Sequence, residues 1–520
     1  MTASSQRALP QQTHYQGATV PTSHPIALLF PPSARRRRVL IARAASAITV
    51  IAALAACSSP GAKAGNAVSS QSSSAATSAA PSVAPSESAP APASESAPVA
   101  GSAPASSAAA AVATSIGTAP VTLQILVTTP DVALYDALGA AFHAKYPNVT
   151  VKVSSQDYNT LVTNAPRLIS GGDVPDLIRL ASFGNLIKDN LVTNLDPYAT
   201  EYGWDQWPQS QFASTLVASN GTQRGTGALY GVGPGFGLTG VYYNKALAQQ
   251  IGMTTPPATL AEFEQLLAKA KSAGLLPIMI NGKDGGQVFP LQNLQMDAAG
   301  ATQQIEDWIY DKPGATIDNA ATVQAATTLQ EWAKDGYFSS DVTSIDQTAA
   351  PSDFAAGKGV FFPSGNWQAP GLDKAAPGKF GFFLFPPATA GGPFSAMTAT
   401  DLLAIPTKSA HAGVAAAFLN FVQVDPQARQ DTLTLGGVVP AGPADAVAPT
   451  ASAGSVVDAT VSSFQQLVKS NGLADFMANA TASIEVNTLL PQTQLLMAGK
   501  TSPAAFATKV QSDYASALAH

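Results

Sequence analysis

The pattern of hydrophobic and polar positions changes near residue 121, where strand-like and helix-like runs begin to alternate. Residues 121–127 alternate between apolar and polar side chains and then become wholly apolar, which is typical of a strand that enters a core. Residues 131–146 place apolar side chains at helical spacing, and Pro147 ends that run. Residues 149–153 alternate again, so a second strand is predicted after the helix.

The same order continues and indicates the class of fold. A second helix is predicted over residues 158–169, although Pro166 should kink or interrupt it. Residues 175–180 predict a third strand. Strands that alternate with helices in this way form a parallel α/β sheet. Ligands bind beyond the carboxyl ends of such strands, which places these positions near a predicted site: Thr128, Thr129, residues 156–158 and residues 180–183.

The remainder of the folded part predicts further helices and strands. Thr259, with Glu262 three residues later, forms a capping box that begins a helix. The predicted strands are 276–280 and 359–362, and the predicted helices are 259–273, 319–334, 352–357, 456–469, 476–497 with a break at Pro491, and 503–519.

The leader before this folded part has the layout of an export signal. Arginines cluster between residues 35 and 43, and the apolar stretch 44–56 is shorter than the ~20 residues of an ordinary membrane span. The run LAAC that ends at Cys57 resembles the lipobox of bacterial lipoproteins, and the resemblance implies cleavage before Cys57 and lipidation of its thiol. An incidental or buried cysteine is the alternative. General and twin-arginine export both stay open, as does a translation start further along the chain.

Residues 57–118 are predicted to be a disordered tether. Ala, Ser, Pro and Gly dominate this segment, and it has almost no large apolar side chains whose burial would offset the entropy of ordering. A chain of this length and composition spans roughly some tens of ångströms. The tether is therefore expected to hold the folded part away from the membrane surface.

Composition argues against several classes of function. The net charge is −6 and only 12% of residues are charged, so no surface for a polyanion such as nucleic acid is implied. The single cysteine allows no disulfide within the chain, and the five histidines do not have metal-ligand spacing. We predict neither a cofactor nor a metal. Phosphate-loop, Gly-x-Ser-x-Gly and His-Glu-x-x-His motifs are absent, so the sequence predicts no enzyme.

Several segments resemble, in order, the family 1 extracellular solute-binding proteins of ABC importers, the group that includes maltose-binding protein. The most specific run combines LYGV at 229–232, VYYNK at 241–245 and PPATLAEF at 256–263. The other matching segments are FHAKYPNVTV at 142–151, GDVPDLI at 172–178, FAAGKGVFF at 354–362, SGNW at 364–367, AIPTK at 404–408 with 415–422, and GGVVP at 436–440.

This resemblance implies an α/β, two-lobed periplasmic-binding-protein-like fold of type II, with a ligand cleft between the lobes. Residues 1–56 are assigned to the leader and signal peptide. Lobe one is expected to comprise residues 121–230 and 397–430, and lobe two residues 240–396 and 431–520. The implied function is capture of a small molecule by closure of the cleft, for delivery to the permease subunits of an importer. The implied location is the extracellular face of the cell membrane.

Sugars present C–H faces and many hydroxyls, so a sugar site needs aromatic rings and planar polar groups. Trp367 directly follows a predicted strand and is expected to stack on a sugar ring, with a core tryptophan as the alternative. Asn366 is expected to donate a hydrogen bond. Asp157 and Tyr158 are implied ligand contacts, although Asp157 is equally placed to cap the next helix. Phe236 either contributes a ring or packs at the hinge. The remaining candidates are Phe289, Gln292 and Asp401.

Two other functions fit the same sequence. A secreted carbohydrate-active enzyme would need two carboxylates that face each other in a pocket. A sensory sugar-binding lipoprotein would report the ligand to a receptor rather than to an importer. Few cationic side chains lie near the predicted cleft, which disfavours an anionic ligand. Arg179 is expected to make a structural ion pair, with a carboxylate of the ligand as the alternative partner. The sequence does not identify the ligand.

Overall fold

The computed structural model describes Val112 and residues 114–519. The predicted signal segment, Cys57 and most of the predicted tether lie outside these residues. The strands are β1 Val121–Thr128, β2 Val149–Gln156, β3 Leu177–Arg179, β4 Leu216–Val217, β5 Ala228–Leu229, β6 Gly235–Phe236, β7 Thr239–Asn244, β8 Phe361–Gly365, β9 Phe380–Phe383, β10 Ala396–Met397, β11 Leu403–Ala404, β12 Val439–Pro440 and β13 Leu473–Ala474.

The helices are α1 Val132–Lys145, α2 Tyr158–Ser170, α3 Asp196–Tyr202, α4 Lys245–Gln250, α5 Leu260–Ser272, α6 Val288–Asn293, α7 Thr302–Ile309, α8 Ala320–Lys334, α9 Ala349–Ala355, α10 Ala369–Ala375, α11 Ala412–Val424, α12 Pro426–Thr434, α13 Val456–Ser470, α14 Leu490–Met497 and α15 Pro503–Ala519. The capping box of α5 is confirmed, because the Thr259 hydroxyl accepts from the Glu262 backbone N–H and the Glu262 carboxylate accepts from that of Ala258. No helix in the described part is long and apolar enough to cross a membrane.

Lobe one is built on a four-stranded sheet in the order β11-β3-β1-β2. Strands β1, β2 and β3 are parallel, as the strand-helix alternation predicts, and β11 joins antiparallel. Phe142 of α1 packs edge-to-face against Phe418 and Phe421 of α11. Because β1, β2 and β3 are parallel, their carboxyl ends lie at the same edge of the sheet, at Thr128, Gln156 and Arg179.

Lobe two is built on an antiparallel sheet in the order β8-β7-β9. Phe263 of α5 lies at the centre of its core, with the rings of Phe361, Phe383, Phe385 and Trp332 within 5.0–6.0 Å of its own. Helices α8 and α15 pack against each other, and α13 packs on β9 and α10. The C-terminal helices thus belong to lobe two.

Three segments cross between the lobes. The first runs from β5 through β6 to β7, the second from β10 to β11, and the third from α12 through β12 to α13. Backbone bonds join the first two, including Gly237 N–H to the Ala399 carbonyl at 2.9 Å. Strand β12 pairs with β6. Helix α12 packs against α1 and α11 of lobe one, so the third crossing begins after Thr434 rather than at residue 430.

Three predicted elements differ from the structure. Helix α2 continues through Pro166 because this residue lies on the exposed face, where water can bond to the carbonyl that loses its partner. The predicted strand 276–280 is too short to count as a regular strand, although Leu276, Pro277 and Met279 make backbone hydrogen bonds to residues 360–361 and Ile278 pairs with Phe361. The predicted helix 476–497 is regular only from Leu490; before it lie a short 3-10 turn and a π-helical segment at Glu485–Leu489.

The residues just before β1 pack on lobe one. The side chain of Ile116 contacts its core, and the Asn148 side-chain amide donates to the carbonyl oxygens of Gly117 and Ala119 at 3.3 and 3.0 Å. These residues were predicted to belong to the tether. The packed part of the chain therefore begins before residue 118.

Candidate ligand-binding site

An aromatic platform, defined as Trp367, Phe289 and Phe476, lies on the lobe-two side of the cleft. Trp367 follows β8, Phe289 lies in α6 and Phe476 follows β13. The ring centroids are 5.9 Å apart for Phe289 and Trp367, 6.2 Å for Trp367 and Phe476, and 6.4 Å for Phe289 and Phe476. All three side chains are half-buried, so the platform keeps an accessible face.

Glycines determine where the Trp367 ring lies. A Cβ at Gly365 would overlap the ring, and a Cβ at Gly237 would stand 3.4 Å from its Cζ3. Gly237 belongs to the first crossing segment and is bonded to the second through Ala399. The half-buried tryptophan ring therefore lies against the first crossing segment.

Charged and polar groups form a polar wall at the carboxyl ends of the lobe-one strands. Arg179, which ends β3, makes an ion pair with Asp401 at 3.3 Å and donates to the carbonyl of Leu180. The Thr128 hydroxyl bonds to Asp131. Burial raises the pKa of Asp131 to about 6, and the nearby negative charge of Asp401 adds to this rise. The Nε of Arg179 and the hydroxyl of Tyr135 have no hydrogen-bond partner among the described residues.

Lobe two faces this wall with a carboxyl group. Glu485 lies near Tyr158, the first residue of α2, and one oxygen of its carboxyl has no partner in the described part of the chain. Burial raises the pKa of Glu485 to about 7, while the Tyr158 hydroxyl and the positive charge of Arg179 oppose the rise. Burial also raises the pKa of Tyr158. These groups from opposite lobes are close enough to interact without a ligand.

The position of Glu485 predicts a pH dependence of stability. The pKa of Glu485 in the folded protein lies above the ordinary value of a glutamate. The folded form therefore binds this proton more tightly than the unfolded chain does, and it loses stability as the pH rises from about 5 to 8. Glu485→Gln should remove this loss. Between pH 5 and pH 8, the free energy of unfolding of the variant should therefore rise by on the order of 2 kcal/mol relative to that of the wild type. Urea unfolding at the two pH values measures this difference.

Other groups near Glu485 are Tyr158, Arg179 and Asp284, and all three remain in this variant. Asp131 also titrates in this range. It is present in both the variant and the wild type, so its contribution cancels in the comparison. A difference between variant and wild type that stays constant from pH 5 to 8 would contradict the assignment.

The other predicted site residues have diverse positions. Asp157 is exposed at the start of α2 and makes no side-chain bond to the helix, so its carboxylate is free to face the cleft.

The buried Asn366 amide bonds to the backbone of Leu238 and Phe236, at 2.9 and 3.1 Å, and so holds the first crossing segment. Gln292 is fully buried behind the platform, and Phe236 stacks on Phe464 of α13 rather than joining the platform.

A buried ion pair joins the lobes beside the platform. Arg224, at the tip of the hairpin formed by β4 and β5 of lobe one, lies 3.0 Å from Asp475 of lobe two, with side-chain exposures of 6% and 1%. Arg224 also donates to the carbonyl of Ile309 at 3.0 Å, and its guanidinium lies 5.0 Å from the Tyr310 ring centroid. Asp475 directly precedes Phe476, so this contact and the platform share one segment.

Comparison with known proteins decides the family. A model of the family described as bacterial extracellular solute-binding protein matches residues 137–453. The chain belongs to this family. The predicted family is thereby confirmed, and bacterial extracellular solute-binding proteins are not enzymes.

Individual relatives are distant in sequence. The multiple sugar-binding protein of Streptococcus mutans is 23% identical over 301 residues, which is 54% of this chain and 66% of that protein. The bacterial solute receptor AcbH matches with a TM-score of 0.65 at 18% identity, over 77% of this chain and 100% of AcbH. Maltose-bound MalE3 of T. maritima matches with a TM-score of 0.61 at 15% identity, over 76% and 99%. The predicted α/β periplasmic-binding-protein fold is thereby confirmed.

In this solute-binding protein the sequence did not point to every residue at the cleft. Phe476 and Glu485 fell within the predicted helix 476–497 and were not among the candidates. Arg179 was predicted to make a structural ion pair, and it does so with Asp401. The position of Arg179 in the sequence could have indicated a role at the cleft. It ends a parallel strand, and ligands bind beyond the carboxyl ends of such strands.

Proposed function

We propose that the protein captures a sugar or oligosaccharide outside the cell and delivers it to the permease subunits of an ABC importer. The observation that carries this proposal is the pairing of an aromatic platform on one lobe with a polar wall on the other. A sugar ring has C–H faces that stack on aromatic rings and hydroxyls that bond to planar polar groups.

The charges of the polar wall favour an uncharged ligand. Asp131, Asp401 and Glu485 lie near one arginine, Arg179, which is already paired with Asp401. An anion would meet these carboxyl groups, and no spare cation of the wall would compensate it. Sugar-binding relatives, including the S. mutans protein and the maltose-bound T. maritima protein, support the same ligand class.

Two lobes joined by three crossing segments suit capture by closure. A ligand that touches the platform and the wall at once has more contacts in the closed form, and its differential affinity shifts the population toward that form. The permease can then distinguish the occupied protein from the empty one.

A thermal-shift and calorimetry screen against mono- and oligosaccharides tests the proposal. A cognate sugar at 100 times its dissociation constant should stabilise the protein by about 2.7 kcal/mol, without being consumed. Release of a product would instead favour a secreted carbohydrate-active enzyme. The absence of a shift with every sugar would remove the sugar proposal.

The location is part of the same proposal. We infer that the protein is anchored at the extracellular face of the membrane through a lipid on Cys57, because that cysteine ends a signal-like segment. Labelling cells with a radioactive fatty acid should mark the wild-type protein and leave Cys57→Ser unlabelled. Equal labelling of the two proteins would contradict the anchor.

A further inference from the structure

A large pocket lies within lobe two, away from the cleft. It has a volume of about 690 Å³, and small-molecule sites usually measure ~300–1,000 Å³. The end of α5, the end of α8, the turn at 339–343 and the end of α14 surround it. All of its lining residues belong to lobe two. This lobe-two pocket therefore does not depend on closure of the cleft.

The lobe-two pocket is separate from the proposed sugar site. One continuous helical segment has Glu485 at its cleft end and Gln494 and Met497 at its pocket end. At ~1.5 Å per residue, Glu485 and Gln494 are roughly 13 Å apart along this segment. None of the three platform residues is part of the pocket lining. A ligand in the lobe-two pocket would therefore leave the platform and the polar wall free.

The walls of the lobe-two pocket are mainly apolar. Aliphatic and aromatic surface comes from Leu275, Pro277, Phe338, Val342 and Met497. Pro277 and Phe338 are buried, and the other three side chains are half-buried. These half-buried side chains leave apolar surface in contact with water. A ligand with an apolar body would remove that surface from water, which is favourable.

One polar residue of the lining has an atom without a partner. Gln287 is 0% exposed, and its side-chain Nε2 donates to the Thr493 hydroxyl at 2.9 Å. Its Oε1 has no hydrogen-bond partner among the described residues. A buried acceptor without a partner is destabilising, so a ligand that donates an N–H or O–H to it is favoured.

The charge at the entrance of the pocket is positive. Lys271 is exposed at the end of α5 and is the charged residue of the lining. Its ammonium group donates to the Gly336 carbonyl at 3.0 Å, and it makes no ion pair within the described part of the chain. An acid group of a ligand would therefore meet an uncompensated cation here. The polar wall of the cleft is the opposite case, because Asp401 already pairs with Arg179 there.

We propose that the lobe-two pocket binds a second class of ligand, an amphipathic organic acid. Its apolar body packs against Phe338 and Met497, its acid group lies at Lys271, and a donor group faces Gln287. The proposal goes beyond the proposed function and does not depend on it. Because the pocket lies within one lobe, this ligand binds without closure of the cleft and does not compete with a sugar.

Anilinonaphthalene sulfonate is the probe for this pocket. It combines aromatic rings, one N–H donor and one acid group, and its fluorescence reports binding to apolar surface. Lys271→Met removes the charge and keeps an apolar stem, so it should weaken probe binding roughly two- to fivefold, the effect of an exposed ion pair. Ser340→Trp places a large ring at an exposed position of the lining and should weaken binding at least tenfold.

A pair of competitors tests the acid group separately. Octanoate and octanol share an apolar chain and differ in charge. Octanoate should displace the probe from the wild type at a lower concentration than octanol does, and this difference should disappear in Lys271→Met. An equal advantage of octanoate in both proteins would overturn the role of Lys271 and with it the proposed ligand class.

Two control variants locate the probe. Lys269→Met changes an exposed lysine of α5 that lies outside the lining, and it should bind the probe as the wild type does. Trp367→Ala alters the platform and should also bind the probe unchanged. Equal weakening by Lys269→Met and Lys271→Met, loss of binding in Trp367→Ala, or full binding in Ser340→Trp would overturn the proposal. No sugar is used, so these outcomes leave the proposed function untouched.

Discussion

Replacing Trp367 by alanine is expected to weaken sugar binding by roughly 30-fold, since truncating a central aromatic residue of a binding site costs about 2 kcal/mol or more. The ring is half-buried, in contact with Phe289 and Phe476, and rests against the crossing strands. Its loss removes the largest face of the platform. Isothermal titration with the cognate sugar measures the change.

Two further variants separate stacking from general damage. Trp367→Phe keeps an aromatic face and should recover part of the lost affinity. Tyr146→Ala removes a half-buried aromatic side chain just before β2, at the edge of the lobe-one sheet opposite the cleft, and should leave affinity unchanged. If Trp367→Ala binds the sugar as tightly as wild type does, the platform is not the binding surface.

Breaking the buried pair between Arg224 and Asp475 should have the largest effect on stability. Arg224→Met leaves the Asp475 carboxylate buried without its counter-charge, which costs about 3–5 kcal/mol. The free energy of unfolding, measured in urea at pH 7, should fall by that amount. Burial already raises the pKa of Asp475, so the deficit should shrink at pH 5, where the carboxyl takes up a proton more readily.

The double variant Arg224→Met, Asp475→Leu is the matched control for this prediction. It replaces both charges with apolar side chains, so no buried charge remains, and much of the stability should return. If the double variant is as unstable as Arg224→Met, the loss comes from packing around Ile309 and Tyr310 and not from the uncompensated carboxylate.

The fold followed from local patterning, because each strand and helix of lobe one carries its own periodicity. Departures arose where the environment overrides the local preference. Pro166 is tolerated because its position on α2 faces solvent. Residues 276–280 are as apolar as a strand and bond to residues 360–361, but this pairing is too short to form a regular strand.

The site was less accessible to sequence reasoning, because it is assembled from distant segments. Trp367 and Phe289 were both candidates, but their contact with Phe476 depends on how β13 lies in lobe two. Asn366 shows the opposite case. A polar residue at the end of a strand suits a ligand, but it suits a neighbouring backbone equally well, and here its amide bonds to Leu238 and Phe236.

The packing of residues 114–118 on lobe one has a mechanical consequence. Asn148 fastens the chain at Gly117 and Ala119, just before β1, and all of these contacts lie within a single lobe. A force applied to the chain on the amino-terminal side of Gly117 acts on lobe one. Lobe two makes none of these contacts, so it can move relative to lobe one without breaking them.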